Sequence, residues 1–263
     1  MGLYDLPANI NFVLKQTGQE KLTYVGHSQG TTQMILAASL LPWYFNQNVN
    51  LFVGLAPVIS TKHTEVPVFK KLARMWRPLQ LAAKKFGVFD MLDANWWEDE
   101  AELLFCAELD GLCEEFLAYF ADANPEVDNL DRANVFLANF PAGTGYEDVV
   151  YYAQTTDNDV PKRFNYGERE NLHRYGSYEP PEVPLKDLNI PVAVFSGSYD
   201  KLADPTDVAS LVEALGSNVV FNQEYPLGHL SFGLAKDMSW FSGDVVNVMN
   251  QFSGNTASEI FMQ

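Results

Sequence analysis

The spacing of apolar residues along the chain divides it into segments of different character. In residues 8–17, Ile10, Val13 and Leu14 recur at i, i+3 and i+4, which predicts an amphipathic helix stopped by Gly18. Residues 21–25 read as a short buried strand, 31–41 as an apolar helix, and 50–59 as a second buried strand. Strands that are apolar on both faces, joined by a helix, predict a βαβ unit and a parallel sheet. The pattern then changes. Residues 68–86 predict a basic amphipathic helix carrying Lys70, Lys71, Arg74, Arg77, Lys84 and Lys85. Residues 98–131 hold twelve carboxylates and no basic residue. Leu103, Leu104, Leu112, Phe116, Leu117 and Phe120 interleave with them, as in a solvated helical face and unlike an acidic tail. Shorter helices are expected at 127–141 and 146–154, and a Tyr-, Gly- and Pro-rich loop at 161–184. Strand character returns at 190–196 and 219–221, with helices at 205–215 and 237–250. The expected organisation is α/β. Residues 1–60 and 189–252 are two parts of one core, 61–188 a helical cap inserted between them, and 253–263 a tail.

Composition narrows the classes. Of 263 residues, 47% are hydrophobic and 13% aromatic, enough for a packed interior. The formal charge of −17 argues against nucleic acid as a partner, and against binding anionic membranes through charge alone. No apolar run is long enough for a membrane span, and the first residues lack the basic and apolar regions of a signal peptide. Cys106 and Cys113 lie seven residues apart in an expected helix, about 10 Å along its axis, so free thiols are expected. No Cys/His spacing suggests a metal site, and no cofactor is expected.

The chemistry centres on Gly26-His27-Ser28-Gln29-Gly30, set between the first strand and the following helix. A serine hydroxyl is a poor nucleophile until it stands clear of its neighbours, near a base and oxyanion donors. A strand turning at once into a helix presents it so, in a strained backbone conformation, with small residues where the two elements cross. This nucleophile elbow makes Ser28 the expected nucleophile and the Gln29 N–H, at a helix N-terminus, the expected oxyanion donor. The acid and the histidine should follow in that order. His27 adjoins the serine and faces away around the elbow, His63 opens the cap and His173 lies in its loop. His229 alone follows a late core strand, so it is the expected base. Asp200 ends an apolar strand through Gly197-Ser198-Tyr199, at the sheet edge where ligands bind, and is the expected acid. Asp204 precedes Pro205 and instead fits a helix N-cap.

These segments resemble a family. Asp5-Leu6-Pro7-Ala8, Tyr24-Val25-Gly26-His27-Ser28-Gln29-Gly30-Thr31-Thr32, Phe140-Pro141-Ala142-Gly143-Thr144-Gly145, Asp200-Lys201-Leu202-Ala203-Asp204-Pro205 and Gly228-His229-Leu230 are similar to the gastric and lysosomal acid lipases, which are α/β-hydrolases. The resemblance spans residues 3–252. It implies Ser28, Asp200 and His229 as the triad, hydrolysis of neutral lipid esters at a lipid–water interface, and a cap acting as a lid over an acyl pocket. It also implies a secreted or lysosomal location. Two departures stand out. The family's cap disulfide needs a cysteine where Trp97 stands. The family's region ahead of the elbow, with its first sheet strands and a second oxyanion donor on a His-Gly loop, has no counterpart here. The expectation is therefore a partial sheet, as in the C-terminal part of a larger lipase. The alternatives are an esterase or thioesterase for shorter acyl groups, and an inactive remnant.

Overall fold

The structure is a computed structural model, and it describes residues 1–87, 90–91, 124, 126–132, 135–136, 143–158 and 160–253. Cys106, Cys113, most of the acidic segment 98–131, most of the helix expected at 127–141 and the tail from 254 lie outside the described residues.

The chain opens with α1 (Asp5–Thr17), closed by Gly18 in the left-handed region at φ 68°, whose N–H donates to the Leu14 carbonyl. Its buried stripe is Leu6 and Ile10, with Leu14 half-buried, while Val13 is exposed. The inward face thus follows an i, i+4, i+8 row, one position out of phase with the expected i+3 step. Strand β1 (Leu22–His27), helix α2 (Gln29–Leu40) and strand β2 (Val49–Leu55) form the βαβ unit. A short helix, α3 (Pro42–Asn48), fills what read as a connection, with Pro42 in its first turn and Phe45 in the core.

Strand β5 (Val192–Gly197) lies beside β2, and β6 (Val219–Tyr225) beside β5, so the order β1-β2-β5-β6 is parallel throughout. The central strands β2 and β5 are almost wholly buried, which explains their unbroken apolar runs. Phe52, Val53, Val192, Val194 and Phe195 anchor the core, while β6 alternates toward solvent at the edge. Between β2 and β5 come α4 (Pro67–Phe86), the two-residue pair β3 (Asp90–Met91) and β4 (Thr144–Gly145), α5 (Tyr146–Thr155) and α6 (Glu168–Tyr175). Helix α6 lies inside the segment expected to be loop.

After β5, α7 (Pro205–Leu215) begins at Asp204, whose carboxylate accepts the Thr206 N–H at 2.8 Å. That is the N-cap expected from sequence. After β6 come a single turn, α8 (Ser231–Leu234), and the closing helix. Asp237 accepts the Ser239 N–H at its start. One wide π-type turn at Phe241–Val245 precedes α9 (Val246–Ser253).

Candidate active site

The elbow lies at the C-terminal end of β1. Ser28 has φ 52° and ψ −116°, a region that non-glycine residues rarely occupy and that costs on the order of 1–3 kcal/mol. Neighbouring contacts enforce it. The Ser28 N–H donates to the Leu55 carbonyl at 3.1 Å, tying the turn to the end of β2. The Ser28 carbonyl accepts from the Thr31 hydroxyl at 2.5 Å and from the Thr31 N–H at 2.9 Å. The Val58 N–H donates to the Thr31 hydroxyl, and the Thr32 hydroxyl donates to the Val58 carbonyl. The two flanking glycines differ. A Cβ on Gly26 would lie 2.9 Å from the Gly30 carbonyl carbon and from the Tyr24 ring, whereas one on Gly30 would only touch the Tyr24 hydroxyl at 3.4 Å. The close approach expected of both positions is required at Gly26 alone.

Three expected residues come together. His229 Nε2 lies 2.7 Å from Ser28 Oγ, and His229 Nδ1 lies 2.9 Å from Asp200 Oδ2. His229 and Asp200 are buried, at 3% and 2% exposure. The other Asp200 oxygen accepts the N–H groups of Leu202 at 2.9 Å and Ala203 at 2.7 Å. Asp200 is thereby held through both of its oxygens. A carboxylate that only accepts places the imidazole proton on Nδ1 and leaves Nε2 to accept from the serine hydroxyl. Gln29 opens α2, so its N–H belongs to the first turn, which has no intrahelical acceptor.

The loop that delivers His229 is held closely. Leu227 accepts the Tyr199 N–H at 3.1 Å, and the Gly228 N–H donates to the Ser231 hydroxyl at 2.9 Å. A Cβ on Gly197 would fall 2.2 Å from the Leu227 carbonyl oxygen, so only glycine lets β5 and this loop approach as they do.

His27 takes a part that its sequence position did not suggest. Its Nε2 lies 2.9 Å from the His229 carbonyl oxygen, and its ring is 5.0 Å from the His229 ring and 6.1 Å from Phe232. A carbonyl only accepts, so Nε2 carries the proton and holds the His229 backbone. Desolvation against the loop, then the neighbouring His229, lowers the His27 pKa from 6.5 to about 4. The only sequence hint was a histidine beside the nucleophile. His63 is paired elsewhere, its Nδ1 2.8 Å from the buried Asp207 at the start of α7. His173 sits on α6.

Beside the elbow lies a cavity of about 270 Å³, lined by Gln29, Thr32, Leu36, Tyr151, Tyr152 and Phe164 among others. Tyr152 is half-buried at the cavity wall, where burial raises its pKa, and its hydroxyl lies 2.9 Å from the Thr32 hydroxyl. This bond ties α5 to α2, and the one from the Thr61 hydroxyl to the Tyr152 carbonyl ties it to the segment after β2. Among the described residues, no group of three or more His, Cys, Asp or Glu is placed to hold a metal ion.

Known proteins agree with this architecture. The chain matches the alpha/beta hydrolase fold family over residues 1–235. It is 38% identical over 241 residues to a gastric triacylglycerol lipase of Rattus norvegicus, covering 90% of this chain and 60% of that protein. It is 32% identical over 257 residues to a putative lysosomal acid lipase/cholesteryl ester hydrolase of Crotalus adamanteus, covering 95% and 63%. The chain thus spans about 60% of the length of these relatives. Among solved structures, a soluble variant of monoglyceride lipase from Saccharomyces cerevisiae aligns with a TM-score of 0.54 at 14% identity, covering 97% of this chain and 69% of that one, a likeness of fold. With gastric and lysosomal acid lipases as its relatives, the chain belongs to the α/β-hydrolase fold family.

Proposed function

We propose that this chain carries the catalytic triad of a serine hydrolase that cleaves lipid carboxylic esters, triacylglycerols or sterol esters. Ser28 is the nucleophile, His229 the base, Asp200 the orienting acid and the Gln29 N–H an oxyanion donor. The observation that carries the reading is the continuous chain from Ser28 Oγ to His229 Nε2 and from His229 Nδ1 to Asp200 Oδ2, at 2.7 and 2.9 Å. The lipid ester is supported by the relatives' names, triacylglycerol lipase and cholesteryl ester hydrolase. A secreted or lysosomal location has the same support. Residues 61–188 act as the lid, with α5 forming one wall of the cavity beside Gln29. Among the described residues no helix is long and apolar enough to cross a membrane.

In this reading Nε2 takes the Ser28 proton as Oγ bonds to the ester carbonyl carbon. Asp200 stabilises the imidazolium that forms, and the carbonyl oxygen, now negative, accepts from the Gln29 N–H. The proton then passes from Nε2 to the departing alcohol, leaving acyl-Ser28. Water repeats the sequence and releases the fatty acid. The test is Ser28→Ala assayed on a nitrophenyl ester and a triacylglycerol emulsion, with a fluorophosphonate probe for the serine. Turnover should fall at least a thousandfold and labelling should vanish. A variant that turned over or labelled like the parent would end the assignment.

A further inference from the structure

We infer that the outer face of α4 is a docking surface for lipid membranes bearing anionic headgroups. Helix α4 is 20 residues long and contains no acidic residue. It carries six of the chain's 17 lysines and arginines: Lys70, Lys71, Arg74, Arg77, Lys84 and Lys85. All six are exposed. At 3.6 residues per turn they fall within an arc of about 140°. The side adjoining this arc buries Ala73 and Gln80, and α4 packs against α5. Apolar side chains stand among and beside the cations, with Leu81 69% exposed in their midst and Met75 and Phe86 exposed at one flank. Arg77 lies over the Trp76 ring and Lys85 over that of Phe86. Cations interleaved with outward apolar residues suit a helix lying in the headgroup layer, where both find partners.

Among the described residues, the neighbouring anions do not cancel this charge. Among the described residues, no salt bridge holds any of the six cations. Asp157 and Glu179 share a cleft with Arg74, Arg77, Lys162 and Arg163, two negative charges against four positive. Glu170 acts on Lys84 only through its field, and is hydrogen-bonded to Arg174 at 2.6 Å. The net charge of −17 opposes such docking only on average. The helix is about 30 Å long, and charges farther away than about 10 Å are screened at ordinary salt, so the six cations outweigh the described anions near them. Nucleic acid would offer Leu81, Met75 and Phe86 no apolar phase, so a lipid surface is the better fit.

The inference stands on α4 and is independent of the catalytic reading. The full chain is sedimented with phosphatidylcholine vesicles, with and without about a third phosphatidylserine, at low and high salt. The comparison is with a variant combining Lys70→Gln, Arg74→Gln and Lys85→Gln. Each cation near an anionic surface strengthens partition about fivefold, so the triple variant should bind about a hundredfold more weakly, and added salt should weaken the parent likewise. Leu81→Ser should weaken binding at high salt as well. Hydrolysis of a soluble nitrophenyl ester should be unchanged in both variants. Equal, salt-insensitive binding to both vesicle types would overturn the proposal. So would no binding to either, which would leave the face covered by the chain's own acidic segment or by another protein. Vesicle binding without any ester hydrolysis would reject the catalytic reading and leave the docking surface standing.

Discussion

Replacing Asp200 with asparagine tests the triad most sharply, because the two oxygens of that carboxylate do different work. Oδ1 accepts the backbone N–H groups of Leu202 and Ala203, and an asparagine oxygen can keep both bonds. The new amide nitrogen must then face His229 Nδ1 as a donor. The imidazole answers by moving its proton to Nε2, so the nitrogen 2.7 Å from Ser28 Oγ can no longer accept the serine proton. A wrong tautomer of this kind lowers kcat about ten-thousandfold, equivalent to about 5 kcal/mol of transition-state stabilisation. The fold loses far less, since the loop bonds survive. Asp200→Ala would instead strand two buried N–H groups, at about 1–3 kcal/mol each. Asp204→Ala is the control. It removes the acceptor of the Thr206 N–H, costing about 1 kcal/mol, and should leave kcat unchanged. The assay is steady-state hydrolysis of a nitrophenyl ester beside urea unfolding of each variant. The assignment fails if Asp200→Asn stays within about tenfold of the parent, or if Asp204→Ala is the one that loses kcat.

Gly197→Ala should lower stability by about 1–3 kcal/mol, since its methyl would sit 2.2 Å from the Leu227 carbonyl oxygen. Displacing the loop that carries His229 by even ~1 Å should also cost roughly a hundredfold in kcat; unchanged melting and turnover would contradict the close approach. His27 predicts a pH effect on stability. Its folded pKa, about 4, lies below its ordinary value of 6.5, so the unfolded chain binds more protons between those values. The contribution is complete above pH 6.5 and is lost as pH falls toward 4. Although the ring packs against the loop, His27 as a residue keeps an exposed surface, so solvent screening discounts the total to about 1 kcal/mol. His27→Gln, which retains a donor for the His229 carbonyl without titrating, should flatten the unfolding free energy measured between pH 7 and 4.5. Identical slopes in parent and variant would show that His27 is not held neutral.

What could be read in the sequence was what local chemistry encodes. The Gly26-x-Ser28-x-Gly30 spacing, the continuous apolar runs of β2 and β5, and Asp204 ahead of Pro205 each act within a few residues. A linear reading therefore found the elbow, the sheet and the N-cap. The order of serine, acid and histidine reached farther, because a parallel sheet brings the C-terminal ends of its strands to one edge. Asp200 and His229 meet there although 29 residues separate them. Contacts with no local signature were not legible. His27 reaches the carbonyl of a residue 202 positions away, and nothing in Gly26-His27-Ser28 distinguishes a ring that turns toward that loop from one that turns away. The approach of Gly197 to Leu227 and the pairing of His63 with Asp207 are of the same kind. The basic helix was legible as well, since its six cations stand within 20 residues that hold no acid, whatever the net charge of the chain. The serine, the acid and the base are written in local chemistry, whereas the contacts holding them within bonding distance arise only when remote segments pack. A substitution at Gly197 can therefore disable the site without changing Ser28, Asp200 or His229.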